Sequence, residues 1–322
     1  MPMVRPFRFA VQGTKAASGT AWRDLARKAE DLGYSTLFVA DHYLGPGPVA
    51  RAASMPPQHL APLAAMTAAA AVTTSLRVGC RVFCVDYHVP AALVKEAATI
   101  DLLSDGRLEF GIGAGWNGAE YDAMGLTFAP APRRIDKLVE VVALAKAHWS
   151  GEPIEIKGDH VNVSGYRGLP APVQLPRPPI MIGGGKKRVL SFAAREADIV
   201  SISNVHFSAR NDDGLTPNEE LARRVDYVRS AAPERVGELD IESSPYFSEI
   251  TTDKAAVFEK LAGWMKTTPD VTAAHPNVLV GTADEMADQL LARREAFGIN
   301  YVTIQWDQLE SFAPIAAQLT SK

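Results

Sequence analysis

The chain has 322 residues, a formal net charge of −4 at neutral pH and 47% apolar residues, an ordinary composition for a globular protein. The acidic balance argues against nucleic acid or an anionic membrane as a partner. Length alone would allow two domains, but α/β barrels of this size are routinely single domains, so we expect one domain over residues 1–322.

The sequence shows no pattern for export or membrane insertion. The N-terminus lacks the apolar core of a signal peptide, and no apolar run approaches the length of a membrane span. Its two cysteines, Cys80 and Cys84, fall in one predicted strand about 13 Å apart, beyond the reach of a disulfide. We therefore expect a cytoplasmic protein with free thiols.

Apolar β-type runs alternate with longer helical patterns along the chain. The predicted strands cover residues 7–12, 36–40, 76–84, 107–113, 179–183, 199–203, 239–246 and 301–306. The predicted helices cover residues 20–32, 60–74, 90–103, 132–149, 187–196, 217–230, 254–265, 283–297 and 311–319. Eight strands alternating with helices predict an α/β fold, a (β/α)8 TIM barrel.

Three long connections, residues 41–59, 151–178 and 267–279, interrupt this rhythm. The first is rich in glycine and proline and follows a strand, which places it at the C-terminal face where barrel active sites lie. The second contains a predicted hairpin over residues 154–163. Because long loops in compact domains are commonly functional, we interpret these connections as insertion loops at the C-terminal face.

Residues 102–120 carry the most informative local pattern. A helix ends at a Ser-Asp-Gly turn, and a short apolar strand then runs into glycines and Trp116. Gly111, Gly113 and Gly115 remove side chains where this strand meets the barrel mouth, so a flat ligand could lie against bare backbone. The same glycines would also suit a tight barrel corner that binds nothing.

Asp41 and His42 come directly after the second predicted strand. Residues just past the carboxyl end of a barrel strand face the mouth, where a histidine can move protons and a carboxylate can orient it. Taken alone, such a pair is more often a turn-capping aspartate beside a hydrogen-bonded loop histidine.

A second candidate site is the run Gly183-Gly184-Gly185-Lys186, which joins a strand to a helix that begins with two more basic residues. Free backbone amides and the positive helix end converge there, and a bound anion would offset the unfavourable position of the cations. The pattern favours a phosphate site over an exposed basic face.

The remaining polar residues are less specific signals of a functional site. Arg81 lies inside a predicted strand and would need a carboxylate or phosphate partner if buried. His88 precedes a helix whose first turn holds Pro90, which favours a capping or surface role. The other histidines lack partners at metal-ligand spacing, so we predict no metal site.

Together these motifs resemble the bacterial luciferase-like monooxygenase superfamily, and within it the coenzyme F420-dependent oxidoreductases. The resemblance runs nearly from end to end. It rests on Ala26-x-x-Ala29-Glu30-x-Leu32-Gly33-Tyr34, Asp41-His42, Leu76-Arg77-Val78-Gly79, Ala98-Thr99-Ile100-Asp101-x-Leu103-Ser104-x-Gly106-Arg107, Gly113-x-Gly115-Trp116 with Glu120, Ile182-Gly183-Gly184-Gly185 and Ala197-Asp198. FMN-dependent members share most of these motifs.

The resemblance implies a cofactor in the barrel mouth, with its ring against a bulge in the third strand and a non-prolyl cis peptide near Arg81-Val82. It implies that the glycine run with Lys186 binds phosphate, and that Ala114 and Gly115 lie beside the ribityl chain or ring. The implied cofactor-binding residues are Asp41, Arg81, Val82, Ala114, Gly115, Trp116, Gly183, Gly184, Gly185 and Lys186.

The resemblance also implies catalytic roles for His42, which would exchange a proton with the substrate, and for Asp41, which would orient His42 or contact the cofactor. Related sugar-phosphate dehydrogenases place a catalytic glutamate where this chain has Trp116. Because an indole is neither an acid nor a base, this departure favours a more apolar substrate, or reduction over oxidation.

The first hypothesis is therefore an F420-dependent oxidoreductase that transfers hydride to or from a small organic substrate. The second is a two-component FMN-dependent monooxygenase, supplied with reduced flavin by a separate reductase. The third is a flavin-binding protein that has lost turnover. The resemblance also leads us to expect a homodimer.

Overall fold

The computed structural model describes residues 5–52 and 57–320. Its strands are β1 (Arg8–Gln12), β2 (Thr36–Val39), β3 (Arg77–Cys80), β4 (Phe83–Cys84), β5 (Leu108–Gly113), β6 (Pro153–Lys157), β7 (Asn162–Arg167), β8 (Ile180–Gly184), β9 (Ile199–Ile202), β10 (Asp240–Ser243), β11 (Phe247–Ile250), β12 (Val278–Gly281) and β13 (Ile299–Gln305). Its α-helices are α1 (Gly19–Asp31), α2 (Pro48–Ala52), α3 (Pro62–Ala70), α4 (Pro90–Leu103), α5 (Gly118–Ala123), α6 (Ala131–Trp149), α7 (Lys187–Glu196), α8 (Pro217–Ala231), α9 (Lys254–Met265), α10 (Pro269–Ala273), α11 (Ala283–Phe297) and α12 (Leu309–Thr320).

The main sheet confirms the predicted (β/α)8 barrel. Its strand order is β3-β2-β1-β13-β10-β9-β8-β5-β4, and an additional pairing of β3 with β5 closes the sheet. The strands β3 and β4 are two parts of one barrel strand, so the barrel has eight strands with helices between them. None of the helices in the described ranges combines the length and apolarity that crossing a membrane requires.

The chain divides into two compact units, which we name by their main segments. The N-terminal unit comprises Gln12–Asp31 and Ser35–Ile182, and the C-terminal unit comprises Met1–Val11, Leu32–Tyr34 and Gly183–Lys322. Our expectation of a single domain stays a prediction.

Each unit has its own buried aromatic packing. In the N-terminal unit, Phe83 packs against Phe110 with ring centroids 5.8 Å apart, and both rings are fully buried. In the C-terminal unit, Phe9 stacks on Phe7 and lies 5.9 Å from Phe312. Continuous burial of the barrel strands explains why they read as unbroken apolar runs in the sequence.

Four helices, α4, α7, α9 and α11, begin and end where the sequence predicted. Local chemistry sets these ends. Pro90 stands in the first turn of α4, where a missing N–H leaves no hydrogen bond unmade. Thr282 and Glu285 form a capping box at the start of α11, and Gly298 ends that helix in the left-handed conformation at φ 75°.

The third barrel strand is predicted as one element, 76–84, but the structure divides it. The break lies between Cys80 and Phe83 and contains a cis peptide bond at Arg81-Val82, where the family resemblance placed one. β3 pairs with both β2 and β5, whereas β4 pairs only with β5, through Phe83 and Cys84. The break therefore separates a part of the strand with a neighbour on each side from a part that pairs with β5 alone.

The insertion loops are partly structured. β6 and β7 form the antiparallel hairpin predicted within residues 151–178. The connection 41–59 contains α2, and residues 53–56 of it lie outside the described residues. The small parallel pair of β11 with β12 was not predicted, because the sequence pattern carries the strand over 239–246 whereas β10 ends at Ser243, before Pro245 removes a backbone donor.

Gly111 is required by the close approach of β5 to the third barrel strand. A Cβ at this position would lie 2.0 Å from the carbonyl oxygen of Cys80 and 3.2 Å from Val82 Cγ1. We predict that Gly111→Ala lowers the free energy of unfolding by at least about 1–3 kcal/mol, because backbone atoms cannot give way as a flexible side chain can. Thermal and urea unfolding measure the change.

The matched control is Gly263→Ala, at a position inside α9 with no heavy atom within 4 Å of the added Cβ. This variant should be neutral or more stable by about 0.5–1 kcal/mol, because alanine is the better helix former. Equal stabilities of the two variants would contradict the assignment of Gly111 as a packing glycine.

Candidate active site

His42 is held by a buried carboxylate in the N-terminal unit. Its Nδ1–H donates to Glu120 Oε2 at 2.6 Å, and the backbone N–H of Tyr43 donates to Glu120 Oε1 at 2.7 Å. The Glu120 side chain is fully buried, whereas that of His42 is 18% exposed. Nε2 of His42 makes no hydrogen bond to the described residues, so it is left as the acceptor in the neutral imidazole.

The carboxylate of Glu120 is kept ionised by its surroundings. Burial opposes this state, but hydrogen bonds from His42, from the Tyr43 backbone and from the Tyr87 hydroxyl lower the pKa of Glu120 below its ordinary value of 4.5. Glu120 lies in the first turn of the short helix α5 and is 78 residues from His42 along the chain. Glu120 is part of the sequence motif that follows β5, but the motif predicts no role for it.

Asp41 binds a different histidine from the one predicted. Its Oδ2 accepts from Nε2 of His88 at 2.9 Å and from the backbone N–H of Cys84 at 2.8 Å. The hydrogen-bonded carboxylate on His42 belongs to Glu120, so the expectation that Asp41 orients His42 is corrected. The physical reason is that neighbouring residues leaving a strand direct their side chains to different sides.

The surface or capping role expected for His88 is also wrong. Its side chain is 11% exposed, bonded to Asp41, and meets the Phe83 ring edge-on with centroids 5.4 Å apart. A histidine two residues before a helix proline gives no signal of this pairing, because its partner lies 47 residues earlier in the chain.

Trp116 lies beside His42. The two rings meet edge-on at an interplanar angle of 81° with centroids 6.1 Å apart, and Trp116 is 60% exposed. The indole provides no acid or base at this position, as the sequence indicated. Glu120, four residues further on, instead supplies a carboxylate to the histidine.

Gly115 is a packing glycine. A Cβ there would lie 2.1 Å from the Tyr121 hydroxyl and 2.8 Å from Cys84 Sγ, and its φ of 73° also favours glycine. Tyr121 donates to Asp86 Oδ2 at 2.8 Å, and Lys137 pairs with the other oxygen of Asp86 at 2.9 Å. At Gly111 and Gly115, protein atoms therefore fill the space that a side chain would need.

Both cysteines are buried free thiols, as expected. Burial raises the pKa of Cys84 to about 11, and it also raises the pKa of Cys80 well above its ordinary value. Thiols in this state are poor nucleophiles near neutral pH, so the chemistry of the site does not depend on a thiolate.

Arg134 fixes the segment that follows β5. Its guanidinium donates to the carbonyl oxygens of Ala114, Gly115 and Ala129, and it lies 3.9 Å from the Phe128 ring centroid. Ala114 is half-buried beside this contact. No sequence pattern indicated Arg134, because an arginine in the first turn of an amphipathic helix is typical of a surface residue.

Arg81 and Val82, at the break in the third strand, are both half-buried. Arg81 Nη1 donates to the side-chain carbonyl of Gln12, the last residue of β1, at 3.2 Å. Val82 lies against the position of Gly111. These residues, together with His42 and Trp116, belong to the N-terminal unit.

The glycine run lies at the start of the C-terminal unit. β8 ends at Gly184, Lys186 is the residue before α7, and no side chain caps the amino end of that helix. Lys186 and Lys187 are exposed. A phosphate group requires hydrogen-bond donors, and the backbone N–H groups at the start of a helix provide them. Because lysines lie beside these groups, this segment fits a phosphate-bearing ligand.

Gly185 is also required by packing. A Cβ there would lie 2.4 Å from Ser203 Oγ and 2.9 Å from Arg224 Nη1. Arg224 donates to the carbonyl oxygen of Ser203 at 2.7 Å and pairs with Glu220 at 2.9 Å. Because Glu220 neutralises it, Arg224 positions the loop after β9 and does not offer an unpaired charge.

The lowered pKa of Glu120 predicts how stability depends on pH. Glu120 contributes stability above its ordinary pKa of 4.5, and this contribution is lost as the pH falls through the lower pKa of the folded state. Glu120→Gln should cost about 1.5–3 kcal/mol at neutral pH, and the difference from the wild type should shrink below pH 4.5. Urea unfolding at a series of pH values measures it.

The control is Glu259→Gln, which removes an exposed carboxylate from α9. Superimposable pH profiles for the two variants would contradict the role given to Glu120.

Comparison with known proteins identifies relatives by sequence and by structure. The family described as luciferase-like monooxygenase matches residues 2–211. The chain is 34% identical over 184 residues to the uncharacterised protein Rv0953c of Mycobacterium tuberculosis, covering 54% of this chain and 64% of that protein. It is 26% identical over 242 residues to the FMNH2-dependent dimethylsulfone monooxygenase of Pseudomonas putida, covering 66% and 64% of the two chains.

The chain thus matches less than two thirds of the length of these curated relatives. Among solved structures, the coenzyme F420-dependent tetrahydromethanopterin reductase from Methanopyrus kandleri superimposes with a TM-score of 0.74 at 18% identity, covering 98% of both chains. At this identity the likeness shows the fold alone. The family match over residues 2–211 spans well over half of the chain and shows that the chain belongs to the luciferase-like monooxygenase family.

Proposed function

We propose that the chain is an F420-dependent oxidoreductase that transfers hydride to or from a small organic substrate. The observation that carries this proposal is the state of His42. Its Nδ1 is fixed by a buried carboxylate, whereas its Nε2 is free of protein partners among the described residues and the side chain remains 18% exposed. A histidine held in this way is suited to exchange a proton with a substrate.

His42 would act as the acid or base at the substrate oxygen. In reduction of a carbonyl compound, Nε2–H would give its proton to the oxygen while the carbon gains a hydride, and in alcohol oxidation Nε2 would take the proton. The Glu120 anion accepts from Nδ1 and fixes the ring orientation. When bound, a deazaflavin supplies hydride chemistry, since its reactive ring position is a carbon.

The same proposal assigns binding roles to residues within each unit. In the C-terminal unit, Gly183–Gly185 and Lys186 at the start of α7 would bind the phosphate group. In the N-terminal unit, Arg81, Val82, Ala114, Gly115 and Trp116 would contact the ring or its side chain, with Asp41 close to them. The exposed face of Trp116 provides apolar surface for a substrate beside His42.

The second candidate is a two-component FMN-dependent monooxygenase. The observation that favours it is the 26% identity to the FMNH2-dependent dimethylsulfone monooxygenase. This candidate needs a separate reductase as a partner to deliver reduced flavin, whereas the first needs only reduced F420 and a substrate. In the second candidate His42 would lose its role in proton exchange with a carbonyl or hydroxyl group.

Titration of the purified protein with oxidised F420 and with FMN separates the two candidates. We expect saturable F420 binding, followed by cofactor fluorescence, with a Kd at least about tenfold below that of FMN, since discrimination of this size needs little free energy. Tight FMN binding without F420 binding would overturn the first candidate in favour of the second. Binding of neither would favour a protein that has lost the activity.

A His42→Ala variant tests the proposed chemistry apart from binding. We expect kcat with reduced F420 and a panel of small aldehydes and ketones to fall about 10²–10⁴-fold, as for loss of a general acid, with little change in F420 Kd. Glu120→Gln, which keeps an acceptor but removes the charge, should show a smaller loss.

The matched control is His160→Ala, which removes a histidine on the β6–β7 hairpin and should leave kcat unchanged. An unaltered kcat in His42→Ala would reject the catalytic role.

A further inference from the structure

A cavity of about 750 Å³ lies entirely within the C-terminal unit, away from the carboxyl ends of its strands. We call it the amino-end cavity, because its lining includes residues that immediately precede β10 and β13 or lie just before β1. Its apolar lining consists of Val225, Val228, Pro233, Val236, Leu239, Ile241 and Phe297. Catalysis in barrels uses the opposite end of the strands, so the proposed function gives this cavity no role.

Three arginines line the cavity, and two of them have no carboxylate partner in the described part of the chain. Arg5 is neutralised, because its Nε donates to Asp240 at 2.6 Å and its Nη1 donates to the carbonyl oxygen of Glu238. Arg229 makes only a long bond of 3.5 Å to the carbonyl oxygen of Ala296. Arg294 makes no hydrogen bond at all through Nη1, although this atom is buried.

The guanidinium of Arg294 is held in place by packing. It lies 4.2 Å from the centroid of the Phe7 ring, a cation–π contact that fixes the plane of the group. Burial lowers the pKa of Arg294, which records the cost of removing this cation from water. A cation in the last turn of α11 complements the helix dipole, but that does not account for a buried N–H group without an acceptor.

The acidic residues of the cavity do not satisfy this need. Glu234 and Glu295 line it, but neither forms an ion pair with an arginine of the cavity among the described residues. Asp240 accepts from Arg5 and from Arg8 at 2.8 Å, and Asn300 donates to it at 2.7 Å. The unmatched charge beside the apolar wall is therefore positive.

We propose that the amino-end cavity binds an anionic amphiphile, a carboxylate or phosphate monoester on an unbranched apolar chain. The head group would accept from the guanidinium groups of Arg294 and Arg229, and the chain would lie along Val225, Val228 and Phe297. An oxyanion supplies the negative charge that neither arginine finds among the described residues, through charge-assisted bonds to planar guanidinium groups. The volume of about 750 Å³ is in the range of small-ligand sites.

Calorimetric titration with octanoate, monooctyl phosphate and octanol tests the proposal on the full-length protein. We expect saturable binding of at least one anion with a Kd of about 1 mM or lower, and octanol weaker by at least about tenfold. The anion with the lower Kd, octanoate or monooctyl phosphate, identifies the head group that the site binds. Equal binding of octanol, or no saturable binding of either anion up to about 10 mM, would overturn the proposal.

Arg294→Met tests the contact itself, because methionine keeps apolar contact with Phe7 while removing the charge. It should weaken anion binding by at least about tenfold and leave octanol binding unchanged. The control is Arg195→Gln, an exposed arginine of α7 outside the cavity, which should bind as the wild type does.

Thermal unfolding checks that Arg294→Met is folded. If it is not, Arg229→Gln, at an exposed position, makes the same test with an expected loss of at least about threefold. Wild-type anion affinity in a folded Arg294→Met or in Arg229→Gln would refute the role of the arginines.

Discussion

The candidate active site depends on one buried carboxylate. Glu120 accepts from the ring of His42 and from the backbone of Tyr43, so a single side chain fixes both the histidine and the start of the loop that carries it. The carboxylate is fully buried, and without these donors it would be a buried charge at a cost of several kcal/mol. The histidine and the carboxylate are therefore stable only together.

A second carboxylate–imidazole pair lies next to the first along the chain. Asp41 joins His88 to the backbone of Cys84, and so ties the end of β2 to the second part of the divided third strand. The consecutive residues Asp41 and His42 thus bind different partners, since Asp41 accepts from His88 and Cys84 whereas His42 donates to Glu120. This arrangement leaves the ring of His42 little freedom except at the edge that carries Nε2.

The sequence predicted the barrel and most element boundaries because alternation of strands and helices, proline at helix starts and glycine at helix ends are local signals. It also led us to single out His42 and the glycine run as candidate site residues. It could not predict the partners. Glu120 and His88 reach their partners across 78 and 47 residues, and no local pattern records such distances.

The glycines near the end of β5 show a related limit. The sequence shows that side chains are absent but not what occupies the space, and at Gly111 and Gly115 the occupants are protein atoms of Cys80 and Tyr121. The pair β11–β12 was missed because its strands are four residues long and separated by two helices, so their pairing is decided by tertiary packing.

The contact between His42 and Trp116 has a consequence for spectroscopy. The indole is 60% exposed and lies edge-on to the imidazole with centroids 6.1 Å apart, so a ligand that binds beside His42 also changes the surroundings of the indole. The intrinsic fluorescence of Trp116 therefore reports binding beside this histidine. Subtracting the spectrum of a Trp116→Phe variant isolates this signal from those of the other four tryptophans, so the molecule contains its own optical probe of the site.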